Sequence, residues 1–320
     1  MTRMPGLSAL PSSSLSALCL ALALALGLAA PEAQAREGVD VGSQSGFSRL
    51  VPAEQVEAAA QQQYGQLVQE ARAQRALLPD NHPQVVRLRA IAKRIIPFSP
   101  PWNRRANQWQ WQVVVLQSKE LNAFCMPGGK IAFYTGILDQ LQLTDDEVAM
   151  VMGHEVAHAL REHARERIGK QSATRLGANL ISGFFGLGAM GDTLLNMGGQ
   201  LLTLKFSRED ESEADLVGME LAARAGYDPR AGVSLWRKMS SASKGAPPQW
   251  MSTHPASSTR INDIEQNLTK VLPLYERAPK PDVRYDAPAK TGHSYLEGAD
   301  PLRLALWGRG RVSLDTGLAD

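Results

Sequence analysis

Two histidines four residues apart in an apolar helical stretch set the strongest constraint on how this 320-residue chain can fold. They belong to His154-Glu155-Val156-Ala157-His158, and the flanking Val148 and Val151, with Val156 and Ala157, mark a buried helix. Thr144-Asp145-Asp146-Glu147 reads as its capping box, so the helix is expected to run from there through Arg161. Burying unpaired imidazoles is costly. Positions i and i+4 share one helix face with Cβ atoms about 5–6 Å apart, close enough for both rings to reach one metal ion. Glu155 lies one residue round the same helix, placed to take a proton from water polarised by the metal rather than to bind the metal. Catalytic zinc takes three protein ligands, so another part of the chain must supply the third.

The best source is a second predicted helix, from Ser207 to Gly226, carrying Glu211-Ser212-Glu213-Ala214-Asp215. Glu211 and Asp215 repeat the four-residue spacing. Glu211 would bind the ion, and Asp215 would hold the second ring nitrogen of a ligating histidine and so fix its tautomer. Glu209, Asp210 and Glu213 offer the same chemistry, and a solvated helix face explains an acidic run equally well. Residue types alone leave that choice open.

Taken together, these motifs resemble the zinc metallopeptidases that include the CAAX prenyl protease, HtpX and the OMA-type peptidases. The second motif of that family is E-x-x-x-D, and the match assigns Glu211 as third ligand and Asp215 as its companion. Asn122-Ala123-Phe124-Cys125-Met126-Pro127-Gly128-Gly129-Lys130-Ile131 resembles the family's strand and turn beside the active site, and His254-Pro255-Ala256-Ser257-Ser258-Thr259-Arg260 its late H-P-x-x-x-x-R element. The resemblance covers about residues 120 to 270 and implies a zincin-like domain with one Zn2+ per chain and polypeptide substrates. On this reading Glu155 is the general base. His254 supports the oxyanion or, alternatively, fills the fourth metal position and keeps the enzyme latent, and Arg260 sits behind the ligands or on the oxyanion side. Asn122, Ala123, Phe124, Cys125, Gly128 and Gly129 would bind an extended substrate by backbone pairing. The chain departs from membrane-embedded relatives in lacking their multiple spans, and from some periplasmic relatives in lacking a helical repeat array.

The expected fold class is α+β and mainly α, with a small β-sheet beside the His154–His158 helix. Helices are expected over 52–78, 82–96 and 230–239, a strand over 109–116, and a hairpin or edge strand around Pro127-Gly128-Gly129. Residues 1–35 read as a secretory signal: Arg3, an apolar run from Leu15 to Ala30, and Ala33-Gln34-Ala35 as a cleavage site. Leu18 before Cys19 argues against lipid attachment. After cleavage Cys125 is the sole cysteine, which rules out an intramolecular disulfide in the mature chain. Residues 36–51 are expected as a loose leader, 52–275 as the peptidase domain and 276–320 as a C-terminal tail. The apolar, Gly-rich stretch 176–204 is expected to form a helical hairpin on the domain, with peripheral contact to a membrane or client as the alternative.

A net charge of +2 gives no broad basic surface, so nucleic acid is not expected as a partner. The functional expectation is an exported, periplasmic zinc endopeptidase acting on unfolded or misassembled envelope proteins. Its rivals are a metal-stabilised chaperone that does not cut, and an amidase on a similar site.

Overall fold

The computed structural model describes residues 36–181, 201, 204–242, 249–254 and 258–285. Helices dominate, around one three-stranded sheet. In chain order the elements that matter are α1 (Ala53–Ala73), α2 (Pro83–Ile95), β1 (Gln112–Leu116), β2 (Ala123–Met126), β3 (Lys130–Tyr134) and α3 (Thr135–Gln140). They are followed by α4 (Asp145–Leu160), α5 (His163–Ile181), α6 (Arg208–Arg224), α7 (Ala231–Ala242), α8 (Gln249–Thr253) and α9 (Ser258–Arg277).

Local signals explain most boundaries. His82 caps α2 by accepting the Gln84 amide, with Pro83 in the first turn. Both capping boxes form: Thr144 with Glu147 opens α4, and Ser207 with Asp210 opens α6. The sheet order is β1-β3-β2, with β1 parallel and β2 antiparallel to the central β3. The hairpin turn at Pro127-Gly128-Gly129 needs glycine, because Gly128 and Gly129 adopt φ of +84° and +77°. Every residue of β3 is buried, and β2 lies against α4.

Two expectations shift. Helix α1 stops at Ala73, since Arg75 turns the chain at φ +56° and Leu77 then bridges to Leu116. The strand expected from Trp109 begins at Gln112. The tryptophans before it are anchored sideways instead, Trp109 Nε1 donating to Glu57 and Trp111 Nε1 to the Ala106 carbonyl. The short helices α3 and α8 carry no sequence signal of their own, being too short for a helical period to register.

Residues 36–51, expected as a leader, hold a 3-10 turn at Gly46–Leu50, and Val39 is buried at 2% exposure with its amide on Glu220. The tail side is described to Tyr285, whose amide donates to Asp145. The hairpin expected over 176–204 falls largely outside the described residues. Among the described residues no helix is long and apolar enough to cross a membrane.

The core centres on α4, which packs most extensively on α6. Two glycines permit that approach. A Cβ on Gly153 would come within 2.5 Å of the Gly218 carbonyl oxygen, and one on Gly218 within 2.5 Å of the His154 amide. This crossing brings the residues one and two turns before Gly218 level with His154.

Candidate active site

The crossing of α4 and α6 assembles the site from buried side chains. His154, His158 and Glu211, joined by His254 from the segment after α8, place ligand atoms within 4.8 Å of one another, all buried. His154 Nε2 lies 3.0 Å from His158 Nε2 and 3.2 Å from His254 Nδ1. The Glu211 carboxylate is 3.6 Å from His154 Nε2, 3.5 Å from His158 Nε2 and 2.9 Å from His254 Nδ1. For bonds of about 2.0–2.1 Å, neighbouring donors around a tetrahedral zinc stand roughly 3.3 Å apart, and these separations bracket that value.

Proton placement supports the same fit. Asp215 Oδ1 lies 2.9 Å from His154 Nδ1, which puts the ring proton on Nδ1 and leaves a lone pair on Nε2. His158 Nδ1 lies 2.9 Å from His163 Nδ1, and where His158 donates in this contact its Nε2 likewise keeps a lone pair. Two lone pairs and a carboxylate then point at one buried spot, an arrangement that a cation stabilises and that bare packing does not. Glu211 is fully buried, and its Oε2 has no aligned hydrogen bond although Arg260 Nη1 stands 2.6 Å away. The donor set therefore fits a divalent metal of the zinc type.

Arg260 binds Asp215 at two points, 2.6 and 2.8 Å, while its guanidinium lies 3.8 Å over the Trp236 ring. It thus braces both Glu211 and Asp215 from behind the cluster. Burial raises the Asp215 carboxyl, but Arg260 and the hydrogen bond to His154 outweigh it and bring it down to about 2. Burial also works against the Glu211 anion, yet His254, His154 and Arg260 together hold its pKa below the ordinary value. Burial, reinforced by the imidazoles of His154, His163 and His254, pushes His158 well below its ordinary value, which keeps the ring neutral as a ligand must be. For His254 burial acts downward too, but the Glu155 and Glu211 carboxylates prevail and the net shift is upward.

Glu155 is buried beside the cluster. Its Oε1 accepts a 2.6 Å hydrogen bond from Trp250 Nε1 and stands 3.6 Å from His254 Nε2. Trp250 in turn stacks on His254, and its amide donates to the Leu121 carbonyl just before β2. Strand β2 is an edge of the sheet. Tyr134 N–H bonds the Asn122 carbonyl, so by alternation the backbone groups of Ala123 and Cys125 turn away from β3. Cys125 is buried, and burial pushes its thiol well up, with a further upward push from Glu155. Gly128 and Gly129 lie at the far end of the hairpin, the first against Glu57 and the second against Trp111.

Four aromatic or imidazole neighbours escaped sequence reading: Trp236, Trp250, His163 and Phe206, the last stacked on His158 with centroids 4.0 Å apart. Trp250 stands one helical turn before His254, whose amide bonds its carbonyl, so the late motif extends further back than its H-P start. His163 was hidden by the turn at Glu162, a non-glycine residue at φ +61°, which folds it back onto the helix it follows.

Residues 82–268 match the profile of peptidase family M48. The chain belongs to this family. It is 35% identical over 195 residues to the mitochondrial metalloendopeptidase OMA1 of Schizosaccharomyces pombe, covering 60% of this chain and 55% of the relative. With the Arabidopsis thaliana protein of the same name it is 39% identical over 156 residues, or 49% and 31% of the two chains. With metalloprotease LoiP of Escherichia coli the identity is 29% over 184 residues, covering 56% of this chain and 71% of LoiP. The chain thus spans about half or less of the length of the two OMA1 proteins. The M48 assignment and the mainly helical, three-stranded architecture agree with the zincin-like α+β fold expected from the motifs.

Proposed function

We propose that this M48 member is a zinc endopeptidase whose one metal ion is held by His154, His158 and Glu211. The observation that carries the proposal is the convergence of those three donors with Glu155 buried alongside and already hydrogen-bonded for orientation. A bound zinc would supply Lewis acidity and make water acidic enough to deprotonate near neutrality. Glu155 takes the proton of the attacking water and passes it to the leaving amine. Asp215 and Arg260 hold the ligands in place and touch no substrate. The outward backbone groups of Ala123 and Cys125 pair with an extended polypeptide, which favours unfolded over native substrates, while Asn122 and Phe124 flank it and Gly128 and Gly129 shape the turn.

The proposed setting is the periplasm, reached through the leader over residues 1–35, with substrates among unfolded or misassembled envelope proteins. Support comes from the leader's residue pattern and from a compact unit that begins at Gly38, just beyond the Ala33-Gln34-Ala35 site. Incubating the chain from Arg36 onward with casein, with and without a chelator, tests the activity. Fragments that disappear with the chelator are expected, and Glu155→Gln should keep the metal and lose cleavage. Cleavage by Glu155→Gln at the native rate would overturn the base assignment.

The fourth donor favours a second reading of the same centre. His254 Nδ1 lies 3.2 Å from His154 Nε2 and 2.9 Å from Glu211 Oε1, near enough to supply a fourth ligand and close the set. His254→Ala separates the readings. Latency predicts retained metal and raised activity, oxyanion support predicts retained metal and lowered activity, and a purely structural centre in a non-cutting chaperone predicts loss of the metal.

A further inference from the structure

The two metal-facing histidines of α4 carry their second ring nitrogens to different partners. His154 meets a carboxylate, as ligating histidines commonly do. His158 meets His163, whose Nδ1 is 2.9 Å away and whose ring is 1% exposed. For His158 Nε2 to offer a lone pair, its proton must sit on Nδ1, so His163 Nδ1 has to accept it. The proton of His163 is then on Nε2, which has no hydrogen-bond partner and faces Glu213 Oε2 at 3.6 Å, an electrostatic rather than a hydrogen-bonded contact. Glu213 is in turn paired with Arg161. The turn at Glu162 is what makes this line-up reachable from the sequence neighbour of α4.

We propose that His163 is a positioning residue for the metal ligand His158, oriented by Glu213 and Arg161, and that this chain of contacts sets how tightly the centre grips its ion. The proposal rests on the reading of His158 as a ligand. It also gives Glu213 a use distinct from that of Glu211 and Asp215 on the same helix. Odd-numbered acidic positions along one stretch of α6 therefore serve three purposes: a ligand, the brace of His163, and the brace of His154.

The test is zinc affinity, measured on the purified chain by competition with a chromophoric chelator, together with the visible absorption of the Co2+-substituted protein. His163→Leu keeps the volume but removes the acceptor, and is expected to weaken zinc binding by about 10–100-fold and to change the Co2+ spectrum. His163→Asn offers Oδ1 near the place of Nδ1 and should recover affinity to within about threefold of the parent. Glu213→Ala, at a position 22% exposed and thus tolerant of change, should weaken binding less than His163→Leu and add little to it in the double variant. Should His163→Leu fail to fold, the Glu213→Ala affinity and the His163→Asn spectrum still decide. Native affinity in His163→Leu, or an Asn variant as weak as the Leu variant, would overturn the positioning role. Absence of metal from the parent chain would instead overturn the centre itself, a distinguishable result.

Discussion

His154 and His158 leave the same helix toward the same point, yet the ground behind them differs. Behind His154 lies a buried ion pair, Asp215 with Arg260, which also reaches Glu211 and rests on Trp236. Behind His158 lie an imidazole and the face of Phe206, with the nearest formal charges, Glu213 and Arg161, one residue further out. The first arrangement is tied to the stability of the whole core, because neither charge can be stripped of its partner cheaply. The second uses neutral contacts whose loss leaves no buried charge unpaired. One side of the centre is thus fixed by the fold, while the other can be altered with the fold intact.

Asp215→Ala should break the comparison most severely. It leaves Arg260 partly unpaired in the interior and is expected to cost about 3–5 kcal/mol, read from denaturant midpoints with chelator present throughout. The matching change on the other side, His163→Leu, should cost no more than about 1–2 kcal/mol under the same conditions. Equal costs would erase the distinction. Gly218→Ala acts at the helix crossing itself, since its methyl would strike the His154 backbone; a loss of about 1–3 kcal/mol and a fall in bound metal are expected.

Acid stability sharpens the contrast. Asp215 titrates near 2 in the folded chain against an ordinary value of 3.8, so its contribution is fully present above about pH 4 and is lost as pH falls through about 2. The amount is roughly 2 kcal/mol. In metal-free protein the acid limb of stability should flatten in Asp215→Asn and stay unchanged in His163→Asn. The smallest effect belongs to Phe206→Leu, which removes the stacked ring from His158 and should weaken metal binding by about 1 kcal/mol, measured by the same chelator competition.

The difference between the two sides also marks what sequence could reveal. His154, Glu155 and His158 announce themselves by spacing within an apolar helix, and Glu211 and Asp215 repeat that spacing. The α+β class, the Thr144 capping box and the glycine turn of the hairpin were equally legible, since each depends on near neighbours. The contacts behind His158 were not. His163 belongs to no helical period of α4 because the helix is interrupted by a left-handed residue at Glu162, which is not the glycine that usually signals such a conformation. Trp250 and Phe206 reach the site by tertiary folding alone. Gly153 and Gly218 carry no local signal of their purpose, which exists only once two helices cross. The sideways anchoring of Trp109 and Trp111 imitated a strand because two alternating aromatic side chains look the same whether a ladder or a pair of indole hydrogen bonds holds them.

The most direct test of the centre is anomalous diffraction at the zinc edge from crystals of the purified chain. One peak is expected, at about 2.0–2.2 Å from His154 Nε2, His158 Nε2 and a Glu211 oxygen. Protein that holds no transition metal, or a peak not bonded to all three of these residues, would contradict it.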